Sequence, residues 1–319
     1  LSVLASGAGA TPLYGALNMQ WAPKARHPQP TDYLQQSVTY LELMDAMLAA
    51  GAEVNARLTK SLWYTTYNRD LLARLVYPVA HPAFPYQVAK GYYPRVGDGK
   101  LNGRGTRLLV SPLLIALKKV VGDRDYIDYL RAFRYPLSGE FAMRTNILPD
   151  LRIPSDWGLE IGVLSEAWRN LAPKSVCQVE IADDYDHKHQ DLSEADADAG
   201  LNRMSTDICK AIFRKLAADG TVFTPNVFRT LKATYYRCAL DLLDAYYNDA
   251  KMNGLSIDRH KEERAIELFT ENIMRAGHFF LDNPHETPFI PTWNRVHAAA
   301  PEFLANLREA AAADDAEYT

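Results

Sequence analysis

Cysteine is scarce. Cys177, Cys209 and Cys238 are the only three in 319 residues, they lie far apart, and none is part of a CxxC pair. An odd, sparse set excludes a disulfide framework and points to a reducing compartment. Long apolar runs are absent too, since nothing approaches the ~20 residues that a membrane span requires. The small-residue-rich start, Leu1 to Asn18, lacks the basic stretch of a secretory signal. The expected location is therefore the cytoplasm. Positive charge is not in excess: 35 Lys and Arg face 39 Asp and Glu, a net charge of −4. Bulk electrostatics thus offers nothing to nucleic acid. No strand runs into a GxGxxG or a P-loop, and no GxSxG or Ser/His/Asp signature is present. The chain opens on Leu1 rather than Met, so a truncated or processed sequence is one alternative.

What is present divides by character. Up to about residue 60, Pro12, Pro23, Pro28 and Pro30 cut the text into short pieces. Asp32 or Ser37 is a candidate cap for a helix through Val38, Leu41, Met44 and Leu48. Next come an expected helix Leu71–Tyr77 stopped by Pro78, and an aromatic-rich strand within Phe84–Tyr93. Helices are expected over Thr106–Val121, with Pro112 inside, over Asp125–Phe133 and over Ile161–Leu171, followed by a strand over Ser175–Ala182. After residue 200, four runs carry apolar residues at helical spacing, as in bundles. They are Leu201 to Ile212, Phe228 to Leu242, Ile266 to Phe280, and Trp293 through Val296, Ala300 and Phe303 to Leu307. Aromatics on such stripes read as core. The tail from Ala310 is acidic and expected to fray.

Polar chemistry concentrates in two places. Lys90, Arg95, Lys100, Arg104 and Arg107 interleave with Gly91, Gly97, Gly99, Gly103 and Gly105. Cations on a glycine-rich loop suit a phosphate or carboxylate, and a solvated loop is the equal alternative. The second place is Tyr135–His189, with Pro136-Leu137-Ser138-Gly139-Glu140, Asp156-Trp157-Gly158-Leu159-Glu160 and Asp186-His187-Lys188-His189. A turn, a helix and a returning strand could bring Glu160 and His187 to one sheet edge. On a strand His187 and His189 share a face; with carboxylates they suit Mg²⁺ or Mn²⁺, and a polar turn at a strand end is the other reading. For Glu160 the plainer reading is a carboxylate favoured by its helix dipole.

These blocks, together with Gly103-Arg104-Gly105-Thr106 and Phe141-Ala142-Met143-Arg144, appear in an order that resembles the glucosyl-3-phosphoglycerate synthase family and the related glucosylglycerate synthases, from about Tyr67 onward. The resemblance implies an α/β fold of the GT-A (nucleotide-diphospho-sugar transferase) type to about residue 195, with a C-terminal helical extension over 196–319. It implies transfer of glucose, with retention, from a nucleoside diphosphate sugar to 3-phosphoglycerate or glycerate, aided by Mg²⁺. It places the acceptor's anionic groups on Gly103, Arg104 and Thr106, the sugar on Glu160 with Trp157 nearby, the donor pocket on Leu137 and Gly139, and the metal on His187. His189 stands where the family usually has an acceptor-binding Asn. A homodimer is the expected assembly.

The family's Pro-Ala-Leu-Asn-Glu-like loop and its Asp-x-Asp have no counterpart here. Asp196-Ala197-Asp198 has the letters but follows His187, and Leu62-Trp63-Tyr64-Thr65-Thr66 occupies the expected place. Either residues are missing from the sequence or the donor site is lost. The rival expectations are a catalytically impaired relic acting as a helix-rich interaction protein, and a mannosyl-transferring relative.

Overall fold

The computed structural model describes residues 40–49, 69–97, 99–182, 200–284 and 289–317. The chain forms two units, Leu1–Arg69 and Asp70–Thr319. In the first unit the described element is α1 (Tyr40–Ala49), within the expected helix.

The second unit opens within α2 (Arg69–Ala80), which corrects the expected stop at Pro78. Pro78 sits in the last turn, where its missing N–H removes one bond, and the helix closes beyond it with His81 N–H donating to the Tyr77 carbonyl at 3.0 Å. Then come β1 (Val88–Tyr92), the two-residue strands β2 (Val96–Gly97) and β3 (Lys100–Leu101), and a π-helical turn, Gly105–Val110, that runs into α3 (Ser111–Val121). Elements α4 (Asp125–Arg131), β4 (Phe141–Met143), β5 (Ile153–Pro154), α5 (Leu159–Asn170) and β6 (Val176–Glu180) complete the α/β part.

A three-stranded sheet, ordered β4-β1-β6, is the frame of the site. Its centre, β1, pairs antiparallel with β4 and parallel with β6; Lys90 stands opposite Phe141 on one side and Gln178 on the other. Val88, Ala89, Lys90 and Gly91 are all buried, so this strand is covered on both faces. A strand of that kind normally reads as continuous apolar residues. Lys90 breaks the rule.

Three long helices follow: α6 (Gly200–Ala218), α7 (Pro225–Met252) and α8 (Arg259–Asp282). Their stripes meet as expected, with Phe228, Leu231, Tyr235, Ile273 and Phe280 all buried. Phe213, Phe223, Phe228 and Phe280 form an aromatic knot whose ring centroids lie 5.0–6.3 Å apart. Gly220 (φ +89°) and Gly254 (φ +66°) terminate α6 and α7, and the following N–H groups, of Thr221 and Leu255, reach back five residues to Leu216 and Ala250. One hydrophobic core runs from α3, α4 and α5 into α6, α7 and α8.

Pro112 and Tyr235 show how that core accommodates a polar fault. Proline at the start of α3 has no N–H to give the Leu108 carbonyl, its partner in an α-helix. The fully buried Tyr235 hydroxyl, from α7, donates to that carbonyl at 2.5 Å.

The fourth apolar run is not a core helix. It divides into α9 (Trp293–Ala299) and α10 (Phe303–Glu317), and Trp293, Phe303 and Leu307 are exposed. Pro301 cannot continue a helix through this point, so the stripe is broken where the spacing alone carried it across. Before α9, β7 (Phe289–Ile290) pairs with β5. Among the described residues no helix is long and apolar enough to cross a membrane.

Candidate active site

Lys90 lies at the middle of β1 with no exposed surface. Its ammonium donates to the backbone carbonyl and to the hydroxyl of Ser138, and the Ser138 hydroxyl in turn donates to the Gly91 carbonyl. The Phe141 ring centroid lies 4.3 Å from Nζ. The turn carrying Leu137, Ser138 and Gly139 is thereby fastened to the strand. Burial pulls the Lys90 pKa down to about 7, and the neighbouring carboxylates of Glu140 and Glu160 offset only part of that. Burial likewise raises the Glu140 carboxyl, with Lys90 opposing it, while the Tyr93 hydroxyl donates to Glu140 at 3.3 Å. Arg95 lies over the Tyr135 ring, 5.4 Å from its centroid.

Three separate stretches converge here. A Cβ placed on Gly105 would sit 3.1 Å from Leu137 Cδ1, and one on Gly139 would sit 3.8 Å from Glu160 Oε1. The segment Gly103–Thr106 thus meets Leu137, while Gly139 meets the first turn of α5. Glu160 is the second residue of that helix, which Gly158 opens; Asp156 accepts from the Gly158 N–H at 2.9 Å. A carboxylate at this position is favoured by the helix N-terminus and can accept bonds from ligand hydroxyls. Trp157 is exposed at 37%, so it presents a ring to solvent.

The cationic loop is only partly a loop. Lys90 is on a buried strand, which corrects its placement among solvent-facing cations. Arg107 is also buried: its Nε donates to the Asn102 carbonyl at 2.8 Å and its Nη2 to Glu262 Oε2 at 2.8 Å. Arg104 is part-exposed and gives its Nε to Glu262 Oε1 at 2.7 Å. Gly103 precedes the helix with φ +82°, a conformation that β-carbon-bearing residues rarely adopt. The Thr106 hydroxyl is buried without a hydrogen-bond partner among the described residues. The first N–H groups of the helix, beside an arginine, form a site suited to an anion.

His187, His189 and the Asp183–Asp186 acids lie outside the described residues, and so does Asp196-Ala197-Asp198. The expected meeting of Glu160 with His187 at one sheet edge therefore lies outside them as well. Among the described residues no three His, Cys, Asp or Glu are grouped so as to hold a metal ion. Sequence reasoning missed Glu262 altogether. An acid in the first turn of a helix reads as a dipole partner, and nothing local signals a contact 158 residues away.

No family model matches the chain. It is 43% identical over 251 residues to a glucosyl-3-phosphoglycerate synthase of Persephonella marina, covering 79% of this chain and 62% of that protein. A glucosyl-3-phosphoglycerate synthase of Methanococcoides burtonii is 37% identical over 257 residues, with the same coverage of 79% and 62%. Among solved structures, glucosyl-3-phosphoglycerate synthase of Mycobacterium tuberculosis in complex with Mn²⁺, UDP-glucose and phosphoglyceric acid is 26% identical. It covers 46% of this chain and 44% of that one, with a TM-score of 0.36. Mannosyl-3-phosphoglycerate synthase of Rubrobacter xylanophilus gives 21% identity and a TM-score of 0.39, over 50% of this chain and 45% of that one. By sequence, then, the chain is similar to the glucosyl-3-phosphoglycerate synthases, and it spans 62% of the length of these two curated relatives.

Proposed function

We propose that the protein transfers glucose, with retention, from a nucleoside diphosphate sugar to 3-phosphoglycerate. The supporting observation is convergence. Segments distant in sequence, each carrying a block of the resemblance, are folded together, Gly105 against Leu137 and Gly139 against Glu160. In this reading the phosphorylated acid docks on Gly103, Arg104 and Thr106. Glu160 accepts from the sugar hydroxyls, Trp157 flanks it, and Leu137 and Gly139 line the donor pocket. Lys90 acts from behind, holding the donor turn in place through Ser138.

The proposal includes Mg²⁺ or Mn²⁺, because a departing diphosphate needs its charge neutralised. His187 and His189 belong to this part of the proposal as metal and acceptor residues. The described residues do not themselves group three His, Cys, Asp or Glu side chains around an ion. The same proposal reads residues 1–195 as a GT-A domain and 196–319 as its helical extension, in a cytoplasmic homodimer.

Binding and turnover test this reading. The full-length protein carrying this sequence should bind nucleoside diphosphate-glucose in calorimetry when Mg²⁺ is present, and should then glucosylate 3-phosphoglycerate. Arg104→Ala should weaken acceptor binding by roughly 1.5–3 kcal/mol, and Arg104→Lys should restore little because the planar fork is lost. No donor binding by the full-length protein would leave the relic reading in its place. Donor binding with an unchanged acceptor KM in Arg104→Ala would remove this loop from the site.

A further inference from the structure

We infer that Glu262 is a positioning residue for the anionic acceptor: it orients the Arg104 guanidinium through Nε and leaves the Nη edge for the ligand. The inference rests on the proposed function, which puts the acceptor on Arg104, and it adds a residue from the helical region that no local sequence feature marks.

The geometry is specific. The Glu262 carboxylate is 3% exposed and divides itself between two arginines. Oε1 takes Arg104 Nε at 2.7 Å, and Oε2 takes Arg107 Nη2 at 2.8 Å. The two arginines differ in what else holds them. Arg107 is buried, bonded to the Asn102 carbonyl and placed over the Tyr246 ring at 5.2 Å, which makes it part of the frame. Arg104 is 25% exposed, and among the described residues Glu262 is the one carboxylate it meets. A carboxylate bonded at Nε fixes the plane of the guanidinium while leaving its two Nη groups, which can grip a phosphate or carboxylate in the bidentate manner that lysine cannot match.

Charge decides whether Glu262 helps or competes. Two guanidinium groups face one carboxylate, so the trio keeps one net positive charge, on the arginine that reaches solvent. The helix opening at Gly105 adds N–H donors of the same sign. An incoming anion therefore meets attraction from a side chain that has already lost its rotational freedom. The support is rigid, because the turn between α7 and α8 is laced to the strand before the loop: Ser256 N–H donates to the Gly99 carbonyl at 2.8 Å and Leu101 N–H to the Ser256 carbonyl at 3.3 Å.

The test uses the full-length protein and varies 3-phosphoglycerate and sugar donor separately. Glu262→Gln should raise the acceptor KM about tenfold, with donor KM unchanged and kcat little altered. In the background of Arg104→Ala, the same substitution should add almost nothing, because the two changes remove one interaction. An acceptor KM that stays level or falls in Glu262→Gln, with only the melting temperature lowered, would make Glu262 structural and overturn the inference. Should Glu262→Gln not fold, Glu262→Asp keeps the charge and withdraws it by one methylene. Its acceptor KM should still rise severalfold, and an unchanged value overturns the inference equally. If Arg104→Ala itself leaves the acceptor KM unchanged, the fault lies in the proposed function and not in the role of Glu262.

Discussion

Two regions bury a positive charge and resolve it in opposite ways. At Lys90 the ammonium is held by neutral groups, the carbonyl and hydroxyl of Ser138, and its nearest carboxylates act only through space. At Glu262 a buried carboxylate is bonded directly to two guanidinium groups. The first arrangement leaves the charge costly, and the lysine responds by lowering its pKa toward neutrality. The second sets a carboxylate within bonding distance of both guanidinium groups, and charge-assisted bonds offset the burial of Arg107. A strand-borne lysine whose pKa is pulled down to about 7 thus ties the turn at Ser138 to a titrating group, whereas Arg104 and Arg107 share one carboxylate.

The comparison can be broken most forcefully at Glu262. Glu262→Ala should cost about 3–5 kcal/mol of stability in urea denaturation, because two guanidinium groups lose their common partner and Arg107 stays buried. A loss well under that would mean that the arginines relax to water and that the pair is not a structural tie.

Removing a neutral partner should cost less. Tyr235→Phe strands the Leu108 carbonyl that Pro112 cannot serve, for about 1–3 kcal/mol in the same assay. A null result would place another donor on that carbonyl.

Lys90 should be distinguished by the sign of its pH dependence more than by size. Its pKa falls from 10.5 in an open chain to about 7 when folded. Between those values the unfolded chain binds more protons than the native one, so this group's contribution to stability rises with pH. The charging penalty is complete below the folded pKa and fades toward the unfolded one. Lys90→Met has no such term, so its stability relative to the parent should be most favourable below neutrality and should decline as pH climbs. Urea midpoints measured across that window check the slope, and parallel curves would show that Lys90 titrates as an ordinary lysine.

The smallest effect belongs to an exposed pair. Lys232 and Glu271 meet at 2.6 Å with both side chains substantially in water, and Lys232→Ala should change stability by no more than about 1 kcal/mol. A loss as large as that of Glu262→Ala would erase the distinction between buried and surface pairing.

Legibility in the sequence followed the range of the interactions. The stripes of α6, α7 and α8 were readable because helix periodicity is a local property, and burial of Phe228, Tyr235 and Phe280 followed from it. The same rule failed after Trp293, where one proline, Pro301, outweighed a repeat that otherwise continued. The glycine-rich stretch was readable as a place for cations but not as their arrangement. Arg104 stayed part-exposed at the expected loop, while Lys90 and Arg107 turned inward to partners 48 and 155 residues away. Gly139 and Glu160 were each visible as candidates, and their meeting was not.

The sequence by itself determined the helical stripes, the sparse and widely spaced cysteines, and the blocks that resemble those of the glucosyl-3-phosphoglycerate synthases. All of these depend on neighbours within a few residues, or on the order of letters. The tertiary structure alone decided that Ser138 holds Lys90, that Tyr235 covers the fault left by Pro112, and that Glu262 joins Arg104 to Arg107. A buried polar group must find its partner wherever packing brings one within hydrogen-bond distance, and that distance carries no trace of separation along the chain.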